Sequence, residues 1–290
     1  VWRTTDGGVN FSNISQWVYG GTYTHADIHC LEYNDLNNYL YCGSDGGIFE
    51  STDGGDTWTN ISDGLSIMQF YKIAGVESNA SYLLGGAQDN GSNKWTGGTD
   101  IDHIRGADGM DCMIDHTHPD TIYYSWQNGG LHRSYDGGAS RTSIKPSGAS
   151  GSWVTPYIMD PTNSSIIYGG YSDVYRSTDR GTNWTNKGAD GRSALAIGTD
   201  DPTRLYAARN NTLRMTDDSG DNWSDVTGPW TGQNVTGITV NPDDAEEVYV
   251  TVSGYTSGSK VYKSSNAGTS WTNHSGTLPN IPHNCISFQD

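Results

Sequence analysis

Positive charge is scarce in this chain: 16 Lys and Arg stand against 33 Asp and Glu in 290 residues, a formal charge of -17. That balance excludes a nucleic-acid binder, whose phosphate contacts need a basic surface. No apolar run approaches the ~18 residues of a membrane-spanning helix, so no membrane insertion is expected. Amphipathic runs at helical spacing are missing too, and hydrophobic residues make up only 33%. Four cysteines are too few for a disulfide-built scaffold. Val1 is not an initiator methionine, so a processed leader or a longer parent chain is compatible with the sequence.

What is abundant points one way. Gly (38), Tyr (18) and Trp (10) suit short aromatic strands joined by tight turns. The organising feature is an eight-residue box, Ser/Thr-x-Asp-x-Gly-x-x-Trp. Its clearest copy is Ser51-Thr52-Asp53-Gly54-Gly55-Asp56-Thr57-Trp58. Other copies centre on Asp6, on Asp179 with Trp184, on Asp218 with Trp223 and on Asn266 with Trp271. A decayed copy holds Asp136, with Arg141 at the aromatic position, and Gln88-Asp89-Asn90-Gly91 breaks the pattern. Box starts at 4, 51, about 88, 134, 177, 216 and 264 recur at the spacing of four-stranded propeller blades. The expected fold is therefore all-β: a seven-bladed β-propeller of four-stranded antiparallel blades, with a box hairpin between third and fourth strands. Residues 1–290 form one domain, and one blade is shared by the termini. That blade combines Val1-Trp2-Arg3 as third strand with Asn284–Phe288 as first and lacks a second strand. On this reading the chain is a segment of a longer polypeptide.

The box residues have mechanical work. Asp closes the turn by accepting backbone N–H groups, Gly supplies positive φ, and Trp covers the turn. They are accordingly structural rather than catalytic. If residues 34–38 form a turn, Cys30 faces Cys42 across two strands, and a strained disulfide is expected there. Cys112 and Cys285 are expected to stay free and buried. Small residues at matching places (Cys30, Cys112, Gly237, Cys285) are expected to let first strands crowd the axis.

The functional candidates lie outside the boxes, on the loops before first strands and between second and third strands, the top face. Three adjacent stretches there depart most from the repeat: His25-Ala26-Asp27-Ile28-His29, Gln88-Asp89-Asn90, and Arg105 to Asp111, which includes Asp108. On an extended strand, His25, Asp27 and His29 share one side and offer two imidazoles and a carboxylate to a transition metal. The plainer alternative is that His29 bonds a neighbouring blade and Asp27 caps a loop. Asp89, Asp108, Asp111 and nearby carbonyls would instead suit calcium. Asp27, Asp89, Asp108 and Asp111 are also the candidates for a glycosidase acid/base pair.

The boxes resemble those of the Asp-box (BNR) repeat families: sialidases, two-propeller xyloglucan-degrading hydrolases and sortilin-type receptors. Trp153-Val154-Thr155-Pro156-Tyr157-Ile158-Met159-Asp160-Pro161 and the run Gly85–Gly91 are similar to large secreted bacterial surface proteins exported by the type IX route. The resemblance implies a secreted or cell-surface propeller with a polysaccharide or protein ligand and neighbouring domains of the same chain as partners. It implies as alternatives a glycoside hydrolase, or the non-catalytic half of one, and a peptide receptor. No arginine triad of the sialidase kind is visible, and the xyloglucan enzymes place their cleft between two propellers.

Overall fold

The computed structural model describes residues 1–17, 22–65 and 67–288. These form six four-stranded antiparallel sheets and one two-stranded sheet, with no α-helix among the described residues. In each four-stranded sheet the strands pair in chain order. First strands are Ile28–Asn34, Phe70–Val76, Cys112–Ile114, Tyr157–Met159, Ala194–Ile197 and Val235–Asn241. From the third blade to the seventh, successive first strands touch, which is the arrangement of blades around an axis. The first blade contributes Trp2–Arg3 paired with Ser12–Asn13. Residues 284–286 line the axial channel beside Gly237 and Ile238, where an innermost strand belongs. They form no ladder, and Trp2–Arg3 pairs only with Ser12–Asn13.

Six boxes share one set of hydrogen bonds. In the fifth blade Ser177 Oγ donates to Asp179 Oδ1 (2.8 Å) and accepts from Gly181 N–H (2.8 Å), while Asn183 N–H donates to Asp179 Oδ1 (2.8 Å). The same contacts recur around Asp6, Asp53, Asp136, Asp218 and Asn266. Backbone geometry explains which turn position can vary. Arg180, Ser219 and Ala267 sit at φ 58°, 61° and 53°, within the left-handed region that side chains tolerate. The next residue, Gly181, Gly220 or Gly268, lies at 85°, 94° or 84° and presses on the preceding blade. A Cβ at Gly181 would meet Ile144 Cδ1 at 2.6 Å, and one at Gly268 would meet Val226 Cβ at 2.7 Å. The following Trp donates to the carbonyl of that same preceding-blade residue: Trp184 to Ile144 (2.7 Å), Trp223 to Lys187 (2.8 Å), Trp271 to Val226 (2.8 Å). The box is thus a latch between blades as well as a turn. Trp58 differs, its buried indole N–H having no partner among the described residues.

Apolar clusters fill the spaces between the third and fourth, fourth and fifth, fifth and sixth, and sixth and seventh blades. The largest surrounds the fully buried Trp230. Among the described residues no such cluster joins the second blade to the third, and the side chains from Ile28 to Tyr33 are exposed. Polar loops make that junction instead.

Three expectations are corrected here. A bulge between Ile28 and Cys30 moves the register by one, so Cys30 faces Gly43 and Leu31 faces Cys42. The Cys30–Cys42 disulfide is therefore absent, and all four thiols are free. Cys285 is exposed rather than buried, although it lines the axis with Cys112 and Gly237 as expected. Finally, the third blade has no box hairpin between its third and fourth strands. It turns through Gly97-Gly98 into an outer strand, Asp102–Arg105, that a search for box hairpins misses.

Candidate functional site

Each top-face stretch is placed by a simple local device. Gln88-Asp89-Asn90 is the turn between Asn79–Ala87 and Gly91–Trp95, with Asp89 at φ 58°. Asp45 occupies the matching turn of the second blade, between Tyr39–Ser44 and Gly47–Ser51. Gln127 begins the corresponding turn of the fourth blade. Asp108 lies on the crossover from the outer strand of the third blade to the inner strand of the fourth.

These loops are tied across three blades. His25 Nε2 lies 3.0 Å from the Asp89 carbonyl, and Asn90 Nδ2 donates to the Asp45 carbonyl (3.1 Å). Asp89 N–H donates to Asp108 Oδ1 (2.8 Å), and Gln127 Nε2 donates to Asp108 Oδ2. Carboxylate oxygens of Asp27, Asp45 and Asp89 come within 4.8 Å of one another. Burial, and after it the negative charges of Asp108, Asp45 and Asp27, raise the Asp89 pKa. Two contacts of this network cross the second–third junction, where the apolar filling is missing.

The expected His25–Asp27–His29 triad does not assemble. His25 and Asp27 have φ of 63° and 50°, and the strand begins only at Ile28, so the three do not share a strand face. The two ring nitrogens of His25 face the carbonyls of Ala26 and Asp89. His29, 69% exposed, pairs with Asp45 at 2.6 Å. The donors that do converge are all carboxylate oxygens, which suit a hard cation such as calcium better than zinc.

Arg105 does not lie on a top-face loop as expected; it ends the third blade's outer strand. Its guanidinium lies 5.0 Å from the Trp126 ring centre. Asp111 stands apart from the acidic cluster. Its oxygens accept from Cys112 N–H (2.9 Å) and Tyr157 N–H (3.0 Å), tying the fourth blade to the fifth at the axis. Burial raises its pKa to about 6, against the lowering effects of Lys72 and of those two N–H groups.

Asp111 lines a cavity of about 490 Å³ among the first strands. Its wall uses the upper parts of the first strands. Tyr71 and Lys72 both face it because a bulge interrupts the register between Phe70 and Lys72. At its rim Trp153, 51% exposed, donates its indole N–H to Tyr71 Oη (3.2 Å). Sequence reasoning missed Asp45, Gln127, Tyr71, Lys72 and Trp153 as site residues. Only Asp45 had a signal, because Ser44-Asp45-Gly46-Gly47 stands at the same place in its blade as Gln88-Asp89-Asn90-Gly91.

No family model matches the chain, and no curated protein sequence matches it. Solved structures do. The Xanthomonas campestris GH74 xyloglucanase superposes with TM-score 0.59 at 16% identity, over 88% of this chain and 46% of the enzyme. YCF48 from Cyanidioschyzon merolae gives 0.52 at 14%, over 85% and 84%. The extracellular domain of a one-component system protein of B. thetaiotaomicron gives 0.53 at 15%, over 92% and 36%. The chain spans about half the length of the GH74 enzymes it matches, 46% in two of them. At these identities the likeness is one of fold, and the fold is the β-propeller.

Proposed function

We propose that this chain is a cell-surface binding module that takes a polysaccharide on its top face, within a longer secreted protein. The observation carrying this reading is the convergence of polar residues from three blades. His25, Asp27, Asp45, Asp89, Asn90 and Asp108 meet on the loop face, and Trp153 and Tyr71 offer aromatic surfaces beside the axis. Sugars are held by such combinations of aromatic faces and directed polar groups. In this reading Asp27, Asp45 and Asp89 hold calcium that braces the loops. The extracellular neighbour among the similar structures supports a surface location.

The second reading is a glycoside hydrolase, or the non-catalytic half of a two-propeller one, and the likeness to GH74 enzymes favours it. A glycan array run beside polysaccharide hydrolysis assays, on the wild type and Asp89→Ala, separates the two. Binding without released sugar is expected. Hydrolysis that disappears in Asp89→Ala would install the hydrolase reading instead.

A further inference from the structure

A second cavity, of about 460 Å³, opens between the fourth and fifth blades and reverses the charge balance of the chain. Residues 142–147 of the fourth blade form one wall, and Tyr175 and Trp184 of the fifth stand on the other. Two cations line it, Arg133 and Lys145, and no carboxylate does, in a chain with 33 Asp and Glu against 16 Lys and Arg. Arg133 is only 8% exposed, yet it pairs with no carboxylate among the described residues. Its Nη1 donates to the Arg180 carbonyl (2.6 Å) and to Thr182 Oγ1 (3.2 Å), which sets the guanidinium against the box turn of the fifth blade. Its Nε is buried without a partner, and its Nη2 makes no hydrogen bond among the described residues. Lys145 is exposed and gives one N–H to the Asn128 carbonyl (2.9 Å), leaving two. The two cations stand toward opposite ends of the fourth blade's third strand, Gly130–Ser134. Arg133 is next to its last residue, and Lys145 reaches back to Asn128, ahead of its first.

From these observations we infer that the interblade cavity is a second binding site, for the oxyanion groups, carboxylate or sulfate, of an acidic polysaccharide. The polysaccharide carrier rests on the reading above; the location and the charge of the ligand rest on the cavity. A buried guanidinium without a countercharge is costly, and an oxyanion that accepts its free N–H groups offsets that cost. Arg133 Nη2 and Lys145 Nζ are the donors to the anions, while the hydroxyls of Thr142, Ser143 and Ser147 line the space for those of the sugar. Two cations set apart suit successive acidic residues of one oligomer better than a single small anion. The volume falls within the ~300–1,000 Å³ of ligand pockets. The chain charge of -17 is spread over the whole surface and largely screened beyond ~10 Å at 0.1 M salt, so the lining cations govern the ligand there.

Calorimetry with uronic-acid, sulfated and neutral oligosaccharides of matched length tests this, on the wild type, Arg133→Gln, Lys145→Gln and Arg214→Gln. Arg214 is an exposed cation of the sixth blade, so its variant removes the same charge away from the cavity. Thermal melting first checks that each variant folds, and Lys145→Gln, at an exposed position, carries the test if Arg133→Gln does not. Binding of an acidic series is expected, weakened about tenfold by Arg133→Gln and about threefold by Lys145→Gln. Arg214→Gln should leave it unchanged, and added salt should weaken it. The uronic-acid and sulfated arms tell carboxylate from sulfate. Acidic binding that both cavity variants leave intact, or that Arg214→Gln weakens as much, would overturn the site while keeping the polysaccharide reading. Binding of neutral oligomers alone would do the same. Tighter binding of polyglutamate than of either acidic sugar would overturn the polysaccharide as carrier. Sugar binding absent from every arm and from the array would remove the polysaccharide reading and this site together.

Discussion

Ser177 shows how much of this fold depends on single buried atoms. Its hydroxyl is buried, donates to Asp179 and satisfies the buried N–H of Gly181. Ser177→Ala leaves that N–H without a partner, and a loss of about 1–3 kcal/mol is expected in urea unfolding. Residue-scale register also decides the thiols. With Cys30 opposite Gly43, four free thiols are expected. Ellman titration of the native protein should find Cys30 and Cys285 reacting first, and Cys42 and Cys112 only on unfolding. Burial supports that order, since it raises the pKa of both inner thiols and so suppresses the reactive thiolate.

At the scale of the element, the box hairpin couples a turn to a blade interface. Gly268→Ala puts a methyl against Val226 at φ 84° and is expected to cost about 2–4 kcal/mol, combining strain with overpacking. Ala267→Gly, one position earlier, should change stability by less than ~1 kcal/mol, because φ 53° already lies in the tolerated left-handed well. Denaturant melts of the two variants measure the contrast. Equal losses would mean that the turn alone, and not its contact with the preceding blade, sets the glycine.

The whole molecule responds to pH through groups shifted in opposite directions. Asp6, Asp53, Asp136 and Asp218 are lowered to about 2, led respectively by hydrogen bonds from Asn10 N–H, the Thr57 hydroxyl, the Ser134 hydroxyl and the Asn222 side chain. Unfolded aspartate titrates near ~3.9. The box carboxylates therefore add stability above about pH 4, and that stability is lost as pH falls toward 2. Asp111, raised to about 6 by burial, has the reverse sign: its contribution is present below about pH 4 and is lost as pH rises through 6. Melting temperatures from pH 2 to 8 should fall steeply on the acid side, and Asp218→Asn should make that limb shallower. The second–third blade junction gives a further prediction. Its acidic cluster lacks an apolar core beside it, so millimolar calcium should raise the melting temperature, by ~2.7 kcal/mol of stability at a hundredfold excess over Kd. Asp45→Asn should abolish the rise, and a wild type indifferent to both calcium and chelator would exclude the bracing role.

The chain by itself determined the repeat, because a turn of this kind needs Ser or Thr, Asp and Gly at set positions whatever surrounds it. Blade number, the structural role of the box residues, and the top-face turn at Gln88–Asn90 followed from that local chemistry. Tertiary structure alone decided what depends on non-local register or on convergence of distant loops. One bulged residue undid the pairing of Cys30 with Cys42, and left-handed backbone at His25 and Asp27 dispersed a triad that an extended strand would have aligned. Asp27, Asp45 and Asp89 meet only because neighbouring blades bring their loops together. Tyr71, Lys72, Asp111 and Trp153 lie on three blades and the loops that lead into them, so the ring of first strands, not any local motif, places them around one cavity.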